Sequence, residues 1–446
     1  MGVHDELMRR IYNVVFTIFF CLASPYYYLK MIRRGGWREG FAQRFGRYSS
    51  KIKQALTNRH VLWLHAVSVG EVNVCTQLIA ALEPRVPNLK MVVSTTTTTG
   101  MAELHRKLPS HILKIYYPID RQMCAWRALG TIHPEAIVLI EAEIWPNFLW
   151  RAKDMGIPVF LVNARLSRRS FHGYKRFGFL FRPIFASFAG VGCQNETDAQ
   201  RLRELGCRPG TIRVVGNLKY DAAKLDEQRM VDVAGLFAQI GVSQGSRVFV
   251  CGSTHAGEEA ILADVFVRLR RSFPDLFLVM VPRHFERGKE VGKELERCGI
   301  PFVYRSEITV NKRYKPGQFQ ALLVNTTGEL KYFYEHATVV FVGKSLTAEG
   351  GQNPIEPGAL GKPLLFGPNM QNFEAIANAL LAGEGAIQVK NGEDLEGAVT
   401  RLLSDEKVRE QMGRNALKVI RENLGAIERS VEMILERLDA EGIRLR

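Results

Sequence analysis

What this chain has little of narrows its chemistry first. Seven cysteines, an odd number with no Cys-x-x-Cys pair, occur in 446 residues. That excludes a disulfide framework and a structural zinc site and points to the cytosolic side. No Asp-x-Asp pair and no His, Cys and carboxylate spacing suited to a metal cage is present, so a metal-free reaction without a cofactor is expected. No helix-turn-helix, zinc finger or aromatic RNP-type run appears, and a basic chain without such a reader is not expected to bind nucleic acid. Low-complexity tracts and short-period repeats are also missing, which excludes a repeat architecture.

What is present is positive charge, +15 from 60 Lys+Arg against 45 Asp+Glu. Such a balance favours an anionic partner, whether an acidic membrane or a phosphorylated substrate. The stretch 11–29 carries no charged residue, and its length at about 1.5 Å per residue comes close to a bilayer hydrocarbon core. A membrane anchor is expected there, with Pro25 and Tyr26, Tyr27 and Tyr28 at an interfacial end. From Lys30 to Lys53 the only acid is Glu39, which by the positive-inside tendency puts the main body in the cytoplasm, against anionic lipid. A signal peptide fits less well, because a basic, aromatic segment continues where a neutral mature start would follow.

The length implies two domains. After the basic segment, apolar runs at 61–66, 91–94, 115–117, 136–140, 159–162, 190–193 and 212–215 alternate with helix-length stretches, the rhythm of a parallel sheet wrapped by helices. The pattern weakens between Asn217 and Gly245 and restarts at 247–251, 276–281, 302–304, 321–324, 339–342 and 363–366. The expected organisation is an anchor over 1–32, a Rossmann-like domain over 33–222, a linker over 223–244, a second Rossmann-like domain over 245–425 and a helix over 426–446 that packs back. Two doubly wound α/β domains would collect ligands at the carboxyl ends of their strands, in a cleft between them.

The richest run is Gly350-Gly-Gln-Asn-Pro-Ile-Glu-Pro-Gly-Ala-Leu-Gly-Lys-Pro-Leu-Leu-Phe-Gly-Pro368. Its glycines let backbone approach a ligand, and Pro354 suits a helix start whose amides donate to phosphate or sugar oxygens. Glu356 is suited to accept hydrogen bonds from two ribose hydroxyls. In the front half, His65-Ala-Val-Ser-Val-Gly-Glu71 follows a strand and precedes a helix. Glu71 there reads either as a general base for an acceptor hydroxyl or as an ordinary first-turn acid. Ala66-Val-Ser-Val-Gly70 approximates a nucleophile elbow around Ser68, without its first glycine. Glu141-Ala-Glu-Ile-Trp-Pro146 places two acids after a strand, one of them facing the ligand, and Lys219 in Asn217-Leu-Lys-Tyr-Asp221 is suited to meet a leaving phosphate. Gly252-Ser-Thr-His255, Pro282-Arg-His284 and Thr326-Thr-Gly-Glu329 end strands in the rear half and are weak phosphate or base contacts singly. The acid-free span 165–182 interleaves Arg and Lys with Phe171, Tyr174, Phe177, Phe179 and Phe181, a surface suited to an anionic amphiphile.

Taken together, the motifs around Glu71, Glu141, Lys219, Pro282, Glu329 and Asn353 resemble those of bacterial 3-deoxy-D-manno-octulosonic acid (Kdo) transferases of lipopolysaccharide synthesis, from the anchor to the last helix. The resemblance implies a GT-B fold, in which two Rossmann-like domains face a cleft. It also implies inverting transfer of Kdo from CMP-Kdo to a lipid A precursor (lipid IVA), at the cytoplasmic face of the inner membrane on a single-pass anchor. By the same resemblance Glu71 is the catalytic base, and Glu141 and Lys219 stabilise the transition state. Pro282, Arg283, Thr327, Gly328, Glu329, Asn353, Pro354, Ile355 and Glu356 bind CMP. The pair Gln352-Asn353 stands where relatives often carry His-Asn. A GT-B nucleotide-sugar epimerase or hydrolase without a lipid acceptor is the rival reading.

Overall fold

The structure is a computed structural model that describes residues 3–33, 38–141, 143–221, 231–309, 312–440 and 442–443. The first part of the expected linker, 223–230, and part of the basic segment, 34–37, lie outside the described residues. The chain divides into two compact units, 1–222 with 424–446, and 223–423.

The first unit holds seven parallel strands: β1 (His60–His65), β2 (Leu89–Thr95), β3 (Leu113–Tyr116), β4 (Ala136–Ile140), β5 (Val159–Ala164), β6 (Gly190–Cys193) and β7 (Ile212–Val214). Their order is β3-β2-β1-β4-β5-β6-β7. Val61, Leu62, Trp63 and Leu64 on β1 and Ile137, Val138 and Leu139 on β4 are fully buried. Burial of consecutive rather than alternate residues is what helices on both sheet faces require. One core layer gathers Trp63, Phe148, Phe185 and Phe188, and the other Leu62, Leu64, Val138 and Phe160.

That second layer is completed from the far end of the chain. The helix Ala426–Ala440 puts Val431, Met433, Ile434 and Leu438 into it. Asp221 caps this helix by accepting from the backbone N–H groups of Gly425 and Ile427, both at 2.7 Å. Arg429 Nε donates to the Val215 carbonyl at 2.8 Å.

The second unit repeats the plan with β8 (Val248–Thr254), β9 (Phe277–Pro282), β10 (Phe302–Tyr304), β11 (Ala321–Leu323), β12 (Val339–Val342), β13 (Leu364–Phe366) and β14 (Ala386–Gln388). All pairings are parallel, in the order β10-β11-β9-β8-β12-β13-β14. In both sheets the strand order reverses beside the first strand, between β1 and β4 and between β8 and β12. Those reversals are the crevices where a doubly wound sheet accepts ligands.

The N-terminal helix Val3–Arg33 runs through Pro25 rather than ending there. It contains one stretch, Glu6–Leu29, long and apolar enough to cross a membrane. Its sides differ. Arg9 makes a two-pronged ion pair with Asp154 at 2.6 and 2.9 Å, and Tyr12 donates to Asp120 at 2.8 Å. Asn13 accepts from Asn147 at 2.9 Å. Val14, Val15, Ile18, Phe19 and Leu22 are exposed on the other side.

Candidate active site

β1 ends at His65, and the Val69–Leu82 helix begins four residues later. Ser68 caps that helix: its Oγ accepts from Glu71 N–H at 3.2 Å, and its O–H donates to Glu71 Oε1 at 2.8 Å. The other carboxylate oxygen, Oε2, accepts from Val67 N–H at 2.8 Å. This exchange is a capping box reaching one residue further back than usual, and it fixes the carboxyl at the mouth of the first crevice. Glu71 is 9% exposed. Burial first, and Glu141 second, push its pKa up to about 7 against the opposing hydrogen bonds from Val67 and Ser68. The first-turn role expected of Glu71 is therefore met by this carboxyl. Ser68 spends its proton on Glu71 rather than on a histidine, so it lacks the activation that a serine nucleophile needs.

His65 belongs to the core instead. It is fully buried, stacks on Tyr117 with ring centroids 3.8 Å apart, and places Nδ1 2.9 Å from Ser94 Oγ. Burial pulls its pKa down to about 3, which keeps the ring neutral.

Glu141 follows β4 with φ 63°, a left-handed conformation that costs a non-glycine residue roughly 1 kcal/mol or more. Its N–H donates to the Val162 carbonyl at 2.9 Å, which holds that conformation. From there Glu141 Oε1 lies 3.5 Å from Lys219 Nζ. Lys219 is brought in by Asn163 at the end of β5, also left-handed, whose Oδ1 accepts from Leu218 N–H at 3.1 Å. Glu143, the second acid of its motif, accepts from Trp145 Nε1 at 2.7 Å. Burial raises its pKa, and it also lies near enough to Glu71 to disfavour a second charge. Glu71, Glu141 and Lys219, far apart in sequence, therefore form one acid–acid–cation group in the first unit.

In the second unit Pro282 closes β9, and Arg283 follows with its N–H on the Thr254 carbonyl at 3.0 Å. Pro354 caps the short helix Ile355–Ala359. Asn353 ties that turn together: Oδ1 accepts from Ile355 N–H and Nδ2 donates to Glu356 Oε1, both at 3.1 Å. Burial raises the Glu356 pKa, while Asn353, Lys331 and Arg283 favour its charge, which places Arg283 and Glu356 in one group. Thr327 and Gly328 are exposed after β11. Glu329 is engaged by Arg305 at 2.9 and 3.2 Å and by Thr326 Oγ1 at 2.8 Å. These segments lie at the carboxyl ends of β11, β9 and β12, with β8 between the last two.

The basic, aromatic span folds as the helices Arg168–Arg176 and Gly178–Phe185. Phe171, Tyr174 and Phe181 pack on the core, whereas Phe177 and Phe179 are 48% and 58% exposed. Beside them Lys175, Arg176, Phe179, Arg182 and Glu204 line a surface cavity of about 460 Å³. Sequence reasoning missed Asn163 and Asp120, whose amide and carboxylate hold loops from buried positions. Ser68 was noticed for the wrong chemistry, although Ser-x-x-Glu is a readable capping signal.

Comparisons with known proteins bear on this geometry. Residues 39–222 match the model of the family described as 3-deoxy-D-manno-octulosonic-acid transferase (kdotransferase). The chain is 31% identical over 434 residues to a 3-deoxy-D-manno-octulosonic acid transferase of Bordetella pertussis, covering 94% of this chain and 98% of that one. It is 29% identical over 408 residues to the enzyme of that name from Haemophilus influenzae, covering 91% and 93%. Among solved structures, a UDP-GlcNAc 2-epimerase from Neisseria meningitidis bound to UDP-GlcNAc superposes with a TM-score of 0.58 at 16% identity, covering 84% of this chain and all of that one. That last likeness speaks for the two-domain GT-B fold alone. With a family match over the first unit and a near full-length relative above 30% identity, the chain belongs to the 3-deoxy-D-manno-octulosonic acid transferase family.

Proposed function

We propose that this protein transfers Kdo from CMP-Kdo to a hydroxyl of a lipid A precursor, lipid IVA, with inversion, in lipopolysaccharide synthesis. The carrying observation is the Glu71 carboxyl, buried and shifted to about pH 7 beside the Glu141–Lys219 pair. A base poised near the working pH combines a useful deprotonated fraction with real proton affinity. Glu71 takes the proton of the acceptor hydroxyl as its oxygen bonds to the anomeric carbon of Kdo. The bond from that carbon to phosphate breaks, and CMP leaves with the electron pair. Glu141 and Lys219 stabilise the charges that develop. In the second unit, Pro282, Arg283, Thr327, Gly328, Glu329 and Asn353 to Glu356 hold the cytidine nucleotide, with Glu356 on the ribose hydroxyls.

The acceptor is an anionic amphiphile. The cavity lined by Lys175, Arg176 and Arg182 suits its phosphates, and exposed Phe177 and Phe179 suit its acyl chains. The body lies on the cytoplasmic side of the inner membrane, on anionic lipid. Its anchor takes a form different from a single pass. Arg9, Tyr12 and Asn13 are held against the folded body, so the free apolar length from Val14 to Leu29 is about 24 Å at ~1.5 Å per residue. A hydrocarbon core of about 30 Å exceeds that. The helix therefore lies in the membrane face with Val14, Val15, Ile18, Phe19 and Leu22 in lipid. Incubating the enzyme with CMP-Kdo and purified lipid IVA, followed by mass spectrometry of the lipid, tests the assignment. Added Kdo mass supports it, while CMP-Kdo turnover that is independent of acceptor overturns it.

A further inference from the structure

The crevice of the second sheet, between β8 and β12, carries side chains that the roles above leave unused. His255 follows β8 and Lys344 follows β12, so the two flank the reversal of strand order where a doubly wound sheet takes its ligand. His284, two residues beyond β9, brings its ring to 5.9 Å from that of His255. Three basic side chains thus meet at the ends of three adjacent strands.

Their backbone is built rather than incidental. Ser253 and Lys344 are both left-handed, at φ 56° and 54°. The loops touch at Gly343, where a Cβ would lie 2.5 Å from the Ser253 carbonyl oxygen. One fully buried carboxylate ties the two loops together. Glu258 Oε2 accepts from His255 N–H at 2.9 Å and from Lys344 N–H at 2.7 Å, while Oε1 accepts from Ser345 and Leu346 N–H at 2.8 and 2.9 Å. Both oxygens of Glu258 are used on backbone. The Lys344 ammonium is half-buried over Gly350 and pairs with no carboxylate among the described residues. His255 Nδ1 leans on the Ser253 carbonyl at 3.4 Å, which leaves Nε2 as the ring's second hydrogen-bonding atom. Burial first, then Lys344 and His284 against the help of Glu258, hold the His255 pKa below its usual value. Basic side chains gathered at a crevice favour an arriving anion.

We infer that His255, His284 and Lys344 form a subsite for an anionic group of the donor, placed by Glu258. This rests on the donor being a nucleotide-linked sugar acid, which offers two such groups: the phosphate next to the nucleoside and the carboxylate of the sugar. Charge-assisted hydrogen bonds to either distinguish this subsite from the neutral ribose contacts at Asn353 and Glu356.

The test uses the full-length enzyme with Lys344→Asn, chosen because asparagine tolerates the left-handed backbone, together with Lys344→Arg and His255→Gln. Calorimetry with cytidine and CMP is set beside the KM for CMP-Kdo, and thermal unfolding checks each fold. Lys344→Asn is expected to raise the KM for CMP-Kdo about tenfold or more, as loss of one charged contact does, and Lys344→Arg to restore most of it. A parallel loss of CMP affinity, with cytidine affinity unchanged, assigns the cations to phosphate. Retained CMP affinity assigns them to the sugar carboxylate. Unchanged CMP affinity and unchanged KM in folded Lys344→Asn and His255→Gln overturn the subsite, while a wild-type enzyme that fails to bind CMP overturns the reading of the donor instead.

Discussion

Glu71 has a local task in the structure and a chemical one in the proposed reaction. Its carboxyl closes the turn ahead of its own helix, and burial with a neighbouring acid keeps its proton affinity high. With the pKa pushed up to about 7, kcat/KM for transfer is expected to rise with pH through about 7 as the base is freed. Glu141→Gln removes a negative neighbour, so the acid limb of that profile should move to lower pH; a limb that stays in place means the shift has another cause. Stability follows the same titration with a defined sign. The folded-state pKa lies above the usual carboxyl value, so the contribution of Glu71 is complete below about pH 4.5 and is lost as pH rises through about 7. Glu71→Gln keeps an acceptor for Val67 N–H and cannot ionise, so its melting temperature should fall less between pH 6 and pH 8 than that of the unaltered protein. In the second unit, Glu356→Ala is expected to weaken CMP binding by about tenfold or more, as read by calorimetry, because a buried acceptor shared with Asn353 is removed.

Two helices from opposite ends of the chain carry the element-scale consequences. Ile434, fully buried in the core of the first unit, should cost about 2–5 kcal/mol when cut to alanine, measured by denaturant unfolding. The N-terminal helix behaves differently, because its apolar side is exposed and its polar side is docked on Asp120, Asn147 and Asp154. Replacing Ile18, Phe19 and Leu22 with glutamate should release the protein from anionic vesicles in flotation while leaving the thermal transition nearly unchanged. Retained flotation would place membrane attachment elsewhere. At this scale the sequence was most legible: thirteen of the fourteen strands among the described residues follow from apolar runs between helix-length stretches. The last strand, Ala386–Gln388, is a three-residue edge with little apolar text and was missed. The docking of the first helix was missed as well, because Arg9, Tyr12 and Asn13 gain meaning only from partners more than a hundred residues away.

At the scale of the whole molecule, the motifs noticed singly in sequence fall at the carboxyl ends of strands in each unit, at or near the reversal of strand order. The placement of these residues at strand ends was legible, because each motif directly follows an apolar run of strand length. Their electrostatics were not, since the pKa of Glu71 and the Glu141–Lys219 pair depend on burial and a left-handed backbone that no local pattern announces. A reaction driven by a carboxyl base without an Asp-x-Asp motif is expected to survive EDTA at full rate, and a rate restored by one particular divalent ion would contradict that. The most direct measurement is transfer of Kdo to lipid IVA by Glu71→Gln, read by mass spectrometry beside calorimetric binding of CMP. Loss of transfer by about a hundredfold or more, with CMP affinity unchanged, is the predicted result, and a folded Glu71→Gln enzyme that transfers at the wild-type rate would contradict the account.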